Sequence, residues 1–334
     1  MDRGSPFEGR CGSQDPEVSP SFFETSDRRL HLQDSALQGR WDDPAMNPNS
    51  FAVDWLDGGD PYLLVRMDVF EMLSSLPDDS IDLVCSDFPY CSLERHRKKG
   101  TTTRLKTSKS SSNEWFDTLP NEAFIGVLEH LYRVLKPMRH AYLYVDDETE
   151  SVLRIMAESA GFYIWKSMPW VKTKKNTSSI EEAASPAAVA ASQVRFGMGY
   201  HYPASHERIL FLEKRTKKYI RPPFPKPKPD PPGKGLSLRG GAPKTADGWG
   251  GDVFFAPRPS GYPTEKPVSI WKILIEQSTE EGMVVLDPFF GSGSAIDAAV
   301  QIGRRGIGSD SSLRAFAEAS ERLMSACLEG GERR

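Results

Sequence analysis

A chain of 334 residues, 38% apolar and with a net charge of −4, is long enough to bury a sizeable core and is neither disordered throughout nor a uniformly basic nucleic-acid binder. Its four cysteines, Cys11, Cys85, Cys91 and Cys327, show no CxxC spacing and no matching histidine cluster, which argues against a zinc site or disulfide framework and fits a reducing, intracellular compartment. The apolar runs are strand-sized and no basic head precedes an apolar block at the N-terminus, so neither a membrane span nor a secretory signal is expected.

Residues 1–50 are rich in Ser, Asp, Gly and Pro without periodicity and read as a poorly ordered leader. Leu63 to Met67 reads as a strand closed by Asp68, Val69 to Leu76 as a short helix, and Ile81 to Ser86 as a buried strand. Residues 91–120 are polar and basic. Phe124, Val127, Leu128, Leu131 and Leu135 then share one helical face, and Pro137 is expected to stop that helix. A strand at Ala141 to Val145, a helix over 149–160 ended by Gly161, and an aromatic strand at Phe162 to Val171 follow.

Segments 173–195 and 214–260 lack a core pattern and bracket one convincing strand, Arg208 to Leu212, so the middle third reads as an insertion outside the sheet. Pro267 in a first helical turn, the strand Met283 to Leu286, a glycine turn, a helix from Ser294 to Ile302 and the strand Gly306 to Ser309 complete the pattern. Alternation of this kind predicts a mostly parallel sheet covered by helices.

Two stretches carry chemistry. In "VVLDPFFGSGSAIDAA" a strand ends in an acid, small residues admit a ligand to the backbone, and a helix begins; Asp310, ending the next strand, could accept from ribose hydroxyls. A dinucleotide turn needs glycine where Ile296 stands, so NAD is disfavoured. Taken alone, the turn could equally be a tight connection whose glycines serve packing.

The second stretch is Ser86-Asp87-Phe88-Pro89-Tyr90. The exocyclic amino nitrogen of adenine or cytosine is a poor nucleophile because its lone pair is delocalised into the ring. A carboxylate and a backbone carbonyl, each accepting one N–H, would favour tetrahedral nitrogen and localise that pair. Asp87 and the Phe88 carbonyl can do this; Pro89 biases Phe88 toward an extended form, and Tyr90 offers a ring for stacking on a flipped base. The structural alternative is an Asp that caps the next segment and a Tyr that packs on the core.

This stretch resembles the D/N/S-P-P-Y/F/W motif of amino-group DNA methyltransferases, and "LDPFFGSGS" resembles their S-adenosylmethionine turn. "SGYPTEKPVSIWKILIEQ" is similar to the family's H-P-T-x-K-P segment and "GYHYPASHERILFLEK" to its strand after the catalytic half. The resemblance covers about residues 60–325, and the motif order is that of the β-class permutation. It implies an α/β, Rossmann-like methyltransferase fold: a mostly parallel seven-stranded sheet with helices on both faces, plus a target-recognition insertion.

The implied division is a leader at 1–50, a catalytic half at 51–172, target recognition at 173–260 with a core strand near 207–213, and a cofactor-binding half at 261–328. Asp87, Phe88, Pro89 and Tyr90 would be catalytic. Asp287, Phe289, Gly291 and Gly293 would surround the methionine part of S-adenosylmethionine, with Asp310 on the ribose, Asp68 facing the adenine or capping a helix, and Thr264 and Lys266 near the carboxylate. Two departures stand out: Phe88 replaces the motif's first proline, and Tyr262 the usual histidine.

The basic run after Tyr90 (Arg95, Arg97, Lys98, Lys99, Arg104, Lys106) is placed to clamp a phosphate backbone, and double-stranded DNA is the expected partner. Asp in the first motif position favours adenine N6 over cytosine N4. An RNA methyltransferase and an inactive DNA-binding subunit of a heterodimer are the rival readings. A homodimer is equally compatible, and the proposed chemistry requires no metal.

Overall fold

The computed structural model describes residues 51–90, 118–173, 204–215, 249–250, 252–262 and 264–331. The leader 1–50 and the whole basic run from Arg95 to Lys106 lie outside them.

In chain order the elements are α1 (Phe51–Asp57), β1 (Tyr62–Val65), α2 (Val69–Ser75), β2 (Ile81–Asp87), a 3-10 turn (Asn121–Ala123), α3 (Phe124–Val134), β3 (Leu135–Val145), α4 (Glu150–Ser159), β4 (Tyr163–Thr173) and β5 (His206–Glu213). Then come β6 (Trp249–Gly250), β7 (Val253–Pro257), α5 (Val268–Ser278), β8 (Val284–Asp287), α6 (Ser294–Gln301), β9 (Arg305–Ser309) and α7 (Leu313–Gly331). They build one sheet in the order β1-β9-β8-β2-β3-β5-β4-β7-β6. The run from β1 to β3 is parallel, and β5 runs antiparallel to both of its neighbours.

Seven of these strands form the expected sheet. The other two, β7 and β6, extend its edge: β7 pairs in parallel with β4, and β6 closes a two-stranded ribbon on it. Residues 249–250 and 253–257, read as part of an insertion outside the sheet, are therefore sheet residues. They are short and proline-flanked, as edge strands tolerate.

Helices cover both faces, so the central strands read as unbroken apolar runs. Along β2, Val84 packs into the core beneath α2, α3 and α4, whereas Leu83 and Cys85 pack with Ile270, Trp271 and Ala298 of α5 and α6. A third cluster seats α7, through Ala315, Ala319 and Leu323, on Leu64 and Ile296.

One helix boundary differs from expectation. α3 ends at Val134, Leu135 already pairs with Ile81 in β3, and Pro137 lies within the strand. The register slips between Leu135 and His140, and Met138 has φ 63°, so the proline sits in a bulge where no ladder N–H is required.

The connection from β2 through α3 leads to β3 on one side, and that from β8 through α6 leads to β9 on the other. The order of connection reverses between the parallel strands β2 and β8, and in such sheets ligands bind outside the carboxyl ends of the strands at that reversal. Asp87 ends β2 and Asp287 ends β8.

Candidate active site

A cavity opens at this switch point. Asp68 after β1, Asp87 of β2 and Asp310 after β9 line it, with Phe88, Pro89, Thr264, Phe289 and Gly291. Five of the eight residues expected to hold cofactor, and three of the four expected to be catalytic, thus meet at one place. Tyr90, Lys266, Asp287 and Gly293 stand behind its wall.

Asp68 is the N-cap of α2, its Oδ1 accepting from Phe70 N at 2.8 Å, and it also lines the cavity. On the glycine turn, Gly291 N donates to Asp310 Oδ2 at 3.0 Å and Ser312 N to Asp310 Oδ1 at 2.9 Å, which fixes that carboxylate at the end of β9. Gly293 caps α6 at φ 74°, and a Cβ there would lie 2.8 Å from Ala319 Cβ, so glycine is required by backbone and by packing. Tyr262, where the resemblance leads one to expect histidine, forms part of the wall with its ring near Gly291.

Asp287 is buried and its Oδ1 accepts from Ser86 Oγ at 2.8 Å and Phe289 N at 3.2 Å. Burial pushes its carboxyl up to about 7, against the pull of those two donors. Ser86, the first residue of the catalytic stretch, thus ties β2 to β8. Its position beside Asp87 was legible in the sequence, its partner was not.

Asp87 is held on both oxygens. Tyr90 Oη donates to Oδ1 at 3.0 Å and Lys266 Nζ to Oδ2 at 2.5 Å. The Tyr90 ring is buried in the core cluster, so here it anchors the carboxylate and does not present the open stacking face expected of it. Lys266 likewise departs from expectation. Its side chain turns inward from the cofactor cavity to Asp87, the Thr264 carbonyl at 2.8 Å and Glu207 Oε2 at 3.3 Å. Thr264 itself has φ 62°, a strained conformation for a β-branched residue.

Glu207, at the start of β5, was not singled out by sequence reasoning. The signal was an acid opening an apolar strand within a segment already matched to the family. Its other oxygen takes Lys172 Nζ at 2.7 Å, giving an alternating line Asp87, Lys266, Glu207, Lys172.

Burial raises Asp87 and Lys266 draws it back, the net effect lying above the ordinary carboxylate value. Glu207 is also raised by burial, but Lys266 and Lys172 together hold it down at about 2. Burial works against the Lys266 ammonium, yet Asp87 and Glu207 keep it above its usual value. The two acids differ because Glu207 has a cation on each side and Asp87 shares only one.

Phe88, the other departure, is buried. Its ring meets Phe289 of the glycine turn edge-on at 5.2 Å and Phe124 of α3 at 5.3 Å. Its carbonyl accepts from Tyr90 N at 3.0 Å across Pro89, leaving one lone pair, and the Pro89 carbonyl accepts from Leu119 N at 2.8 Å.

The profile of the DNA methylase family matches residues 81–321, which span Asp87, the insertion and the glycine turn. The chain belongs to the N6/N4 DNA methylase family. The type II methyltransferase M.HpaI of Haemophilus parainfluenzae is 27% identical over 268 residues, covering 78% of this methylase and 73% of the relative. The putative methylase YubD of Escherichia coli K12 is 30% identical over 250 residues, covering 73% and 82%.

Among solved structures, PvuII DNA methyltransferase (cytosine-N4-specific) superimposes with a TM-score of 0.51 at 16% identity, covering 79% of this methylase and 86% of that chain. A modification methylase of Thermus thermophilus, TTHA0409, gives 0.50 at 18%, covering 79% and 95%. At these identities the likeness speaks to the fold.

The cofactor of this family is S-adenosylmethionine, and the cavity fits it. Among the described lining residues three are aspartates and none is basic, which suits a ligand bearing sulfonium and ammonium cations and a ribose diol. A phosphate-bearing dinucleotide would find no cation among those described lining residues. Asp310, Gly291 and Phe289 would hold the cofactor from the β8 side and Asp68 from the β1 side. Among the described residues no helix is long and apolar enough to cross a membrane.

Proposed function

We propose that this DNA methyltransferase acts on the N6 amino group of adenine in double-stranded DNA. The observation that carries the reading is the Asp87 carboxylate at the cavity rim, one residue from the Phe88 carbonyl and facing the glycine turn. Each Asp87 oxygen has a second acceptor position beyond its present donor. One of these would accept an amino N–H, and the remaining lone pair of the Phe88 carbonyl the other. Nitrogen so held is drawn toward tetrahedral geometry with its lone pair directed across the cavity.

The bound S-adenosylmethionine supplies the electrophilic methyl group. Asp87, its carboxyl raised above the ordinary value by burial against the pull of Lys266, then takes the proton that nitrogen sheds. An aspartate at this position, where the family more often places serine for cytosine N4, supports adenine.

In the same reading Arg95, Arg97, Lys98, Lys99, Arg104 and Lys106 hold the phosphate backbone, and residues 173–260, apart from β5, β6 and β7, read the target. Incubation with labelled S-adenosylmethionine and duplex DNA or RNA, followed by nucleoside analysis, tests the assignment. Labelled N6-methyladenine from duplex DNA is expected; N4-methylcytosine refutes the choice of base, and label only in RNA the choice of polymer. Asp87→Ala is expected to lose about 10³-fold in kcat. Neutralising Arg97, Lys98 and Lys99 together should flatten the dependence of DNA affinity on salt by a slope of roughly 2 to 3.

A further inference from the structure

The Lys266 ammonium has three N–H donors and three acceptors: Asp87 Oδ2, the Thr264 carbonyl and Glu207 Oε2. Lys266 is buried, so no water is needed to complete the set, and its orientation is fixed by the three together. Glu207 reaches this ammonium from β5, on the far side from the cofactor cavity, and is itself steadied by Lys172 of β4. It is not one of the residues that line the cavity.

We propose that Glu207 is a positioning residue for methyl transfer: acting through the Lys266 ammonium, it sets which face of the Asp87 carboxylate is left to the target amino group and how strongly that carboxylate accepts. The inference rests on Asp87 being the amino-group acceptor. Without Glu207 the ammonium belongs to Asp87 alone, and a carboxylate tightly neutralised by its own cation is a weaker acceptor for an amine. With Glu207 present, the cation is shared and more of the negative charge on Asp87 faces the substrate. Lys172 moderates the effect by neutralising the outer side of Glu207.

The charged and titratable groups around Asp87 come from every neighbouring element. Tyr90 lies on its own turn, Tyr144 on β3, Glu207 on β5, Lys266 before α5 and Asp287 on β8. Among these described residues only Lys266 is a cation, and its charge is partitioned between two acids.

The test is kcat against pH on duplex DNA for the wild type, Glu207→Gln, Glu207→Asp and Lys172→Gln, with cofactor Kd measured separately. Glu207→Gln should lower plateau kcat roughly tenfold. It should also move the acid limb to lower pH, because Asp87 keeps its charge longer once a neighbouring negative charge is gone. Cofactor Kd should be unchanged, and Glu207→Asp should return the limb toward its wild-type position. Lys172→Gln should move the limb the opposite way, to higher pH, since Glu207 then repels Asp87 and draws on Lys266 unopposed.

A Glu207→Gln enzyme with wild-type kcat and an unmoved limb overturns the inference, as do shifts of the two Gln variants in the same direction. If Glu207→Gln does not fold, the Lys172→Gln arm decides: an upward shift supports the proposal and an unmoved limb refutes it. A wild-type protein that methylates no amino nitrogen refutes the functional reading itself, an outcome distinct from a normal wild type with unresponsive variants.

Discussion

Asp87 and Asp287 end adjacent parallel strands, stand at one switch point and are both largely withdrawn from water, yet the protein compensates them in opposite ways. Asp87 receives a cation and a phenol. Asp287 receives only neutral donors, a serine hydroxyl and a backbone N–H. A buried carboxylate met by a full charge is drawn back toward its ordinary value; one met by dipoles alone rises to about 7. The β2 acid is thus balanced by a cation, whereas the β8 acid is met by dipoles alone.

Breaking the cation side should give the largest effect. Lys266→Met leaves Asp87 and Glu207 facing each other without their shared cation, and stability at pH 8 should fall by about 3 kcal/mol. The loss should shrink toward pH 5, because Asp87, raised further, can protonate and discharge the pair. Denaturant unfolding at the two pH values measures this, and kcat should fall about 100-fold with the acid limb displaced upward.

Asp287→Asn should show the reverse slope. A carboxyl raised from about 3.9 when unfolded to about 7 when folded costs nothing below pH 4, and its full cost is present above pH 7. Asparagine keeps the acceptor Oδ1 and removes that cost. The variant should therefore gain on the order of 2 kcal/mol more at pH 8 than at pH 5, while binding S-adenosylmethionine more weakly. Equal gains at both pH values would remove the contrast between the two acids.

Gly293→Ala perturbs the same cofactor turn without touching charge. A side chain at φ 74° pressed on Ala319 should cost about 1 to 3 kcal/mol, alike at pH 5 and pH 8. A pH-dependent loss would show that the turn and Asp287 are coupled.

The parts of this arrangement legible in the sequence are those in which one residue follows from its neighbours. An acid after an apolar run marks a strand end, which located Asp68, Asp87, Asp287 and Asp310 together at one edge of the sheet. Glycine and proline marked the turns for the same reason.

What escaped the sequence are contacts made by distant segments and strands whose composition hides them. Lys266 was placed by its nearness to Thr264, but its partners are fixed by β2 and β5, which meet only through β3. Tyr90 was assigned a stacking face from ring chemistry alone, and its hydroxyl proved to have the nearer task. The strands at 249–257 lie in a glycine- and proline-rich stretch, where edge pairing leaves no periodic signal. Pro137 ended a helix in the reading because a bulge beside β2 cannot be seen from one strand.

β4 and β5 are antiparallel neighbours, so the end of β4 near Thr173 lies beside the start of β5 at His206. Lys172 N donates to Ser205 O at 2.8 Å, and Lys172 grips Glu207 at 2.7 Å, so that doorway is latched from within the sheet. What passes between is closed at its root by the scaffold, and doubling its length would cost only about 0.6 kcal/mol in chain entropy. If it reads DNA as proposed, a chimera carrying a foreign 174–203 would inherit a new target while keeping its methyl-transfer machinery.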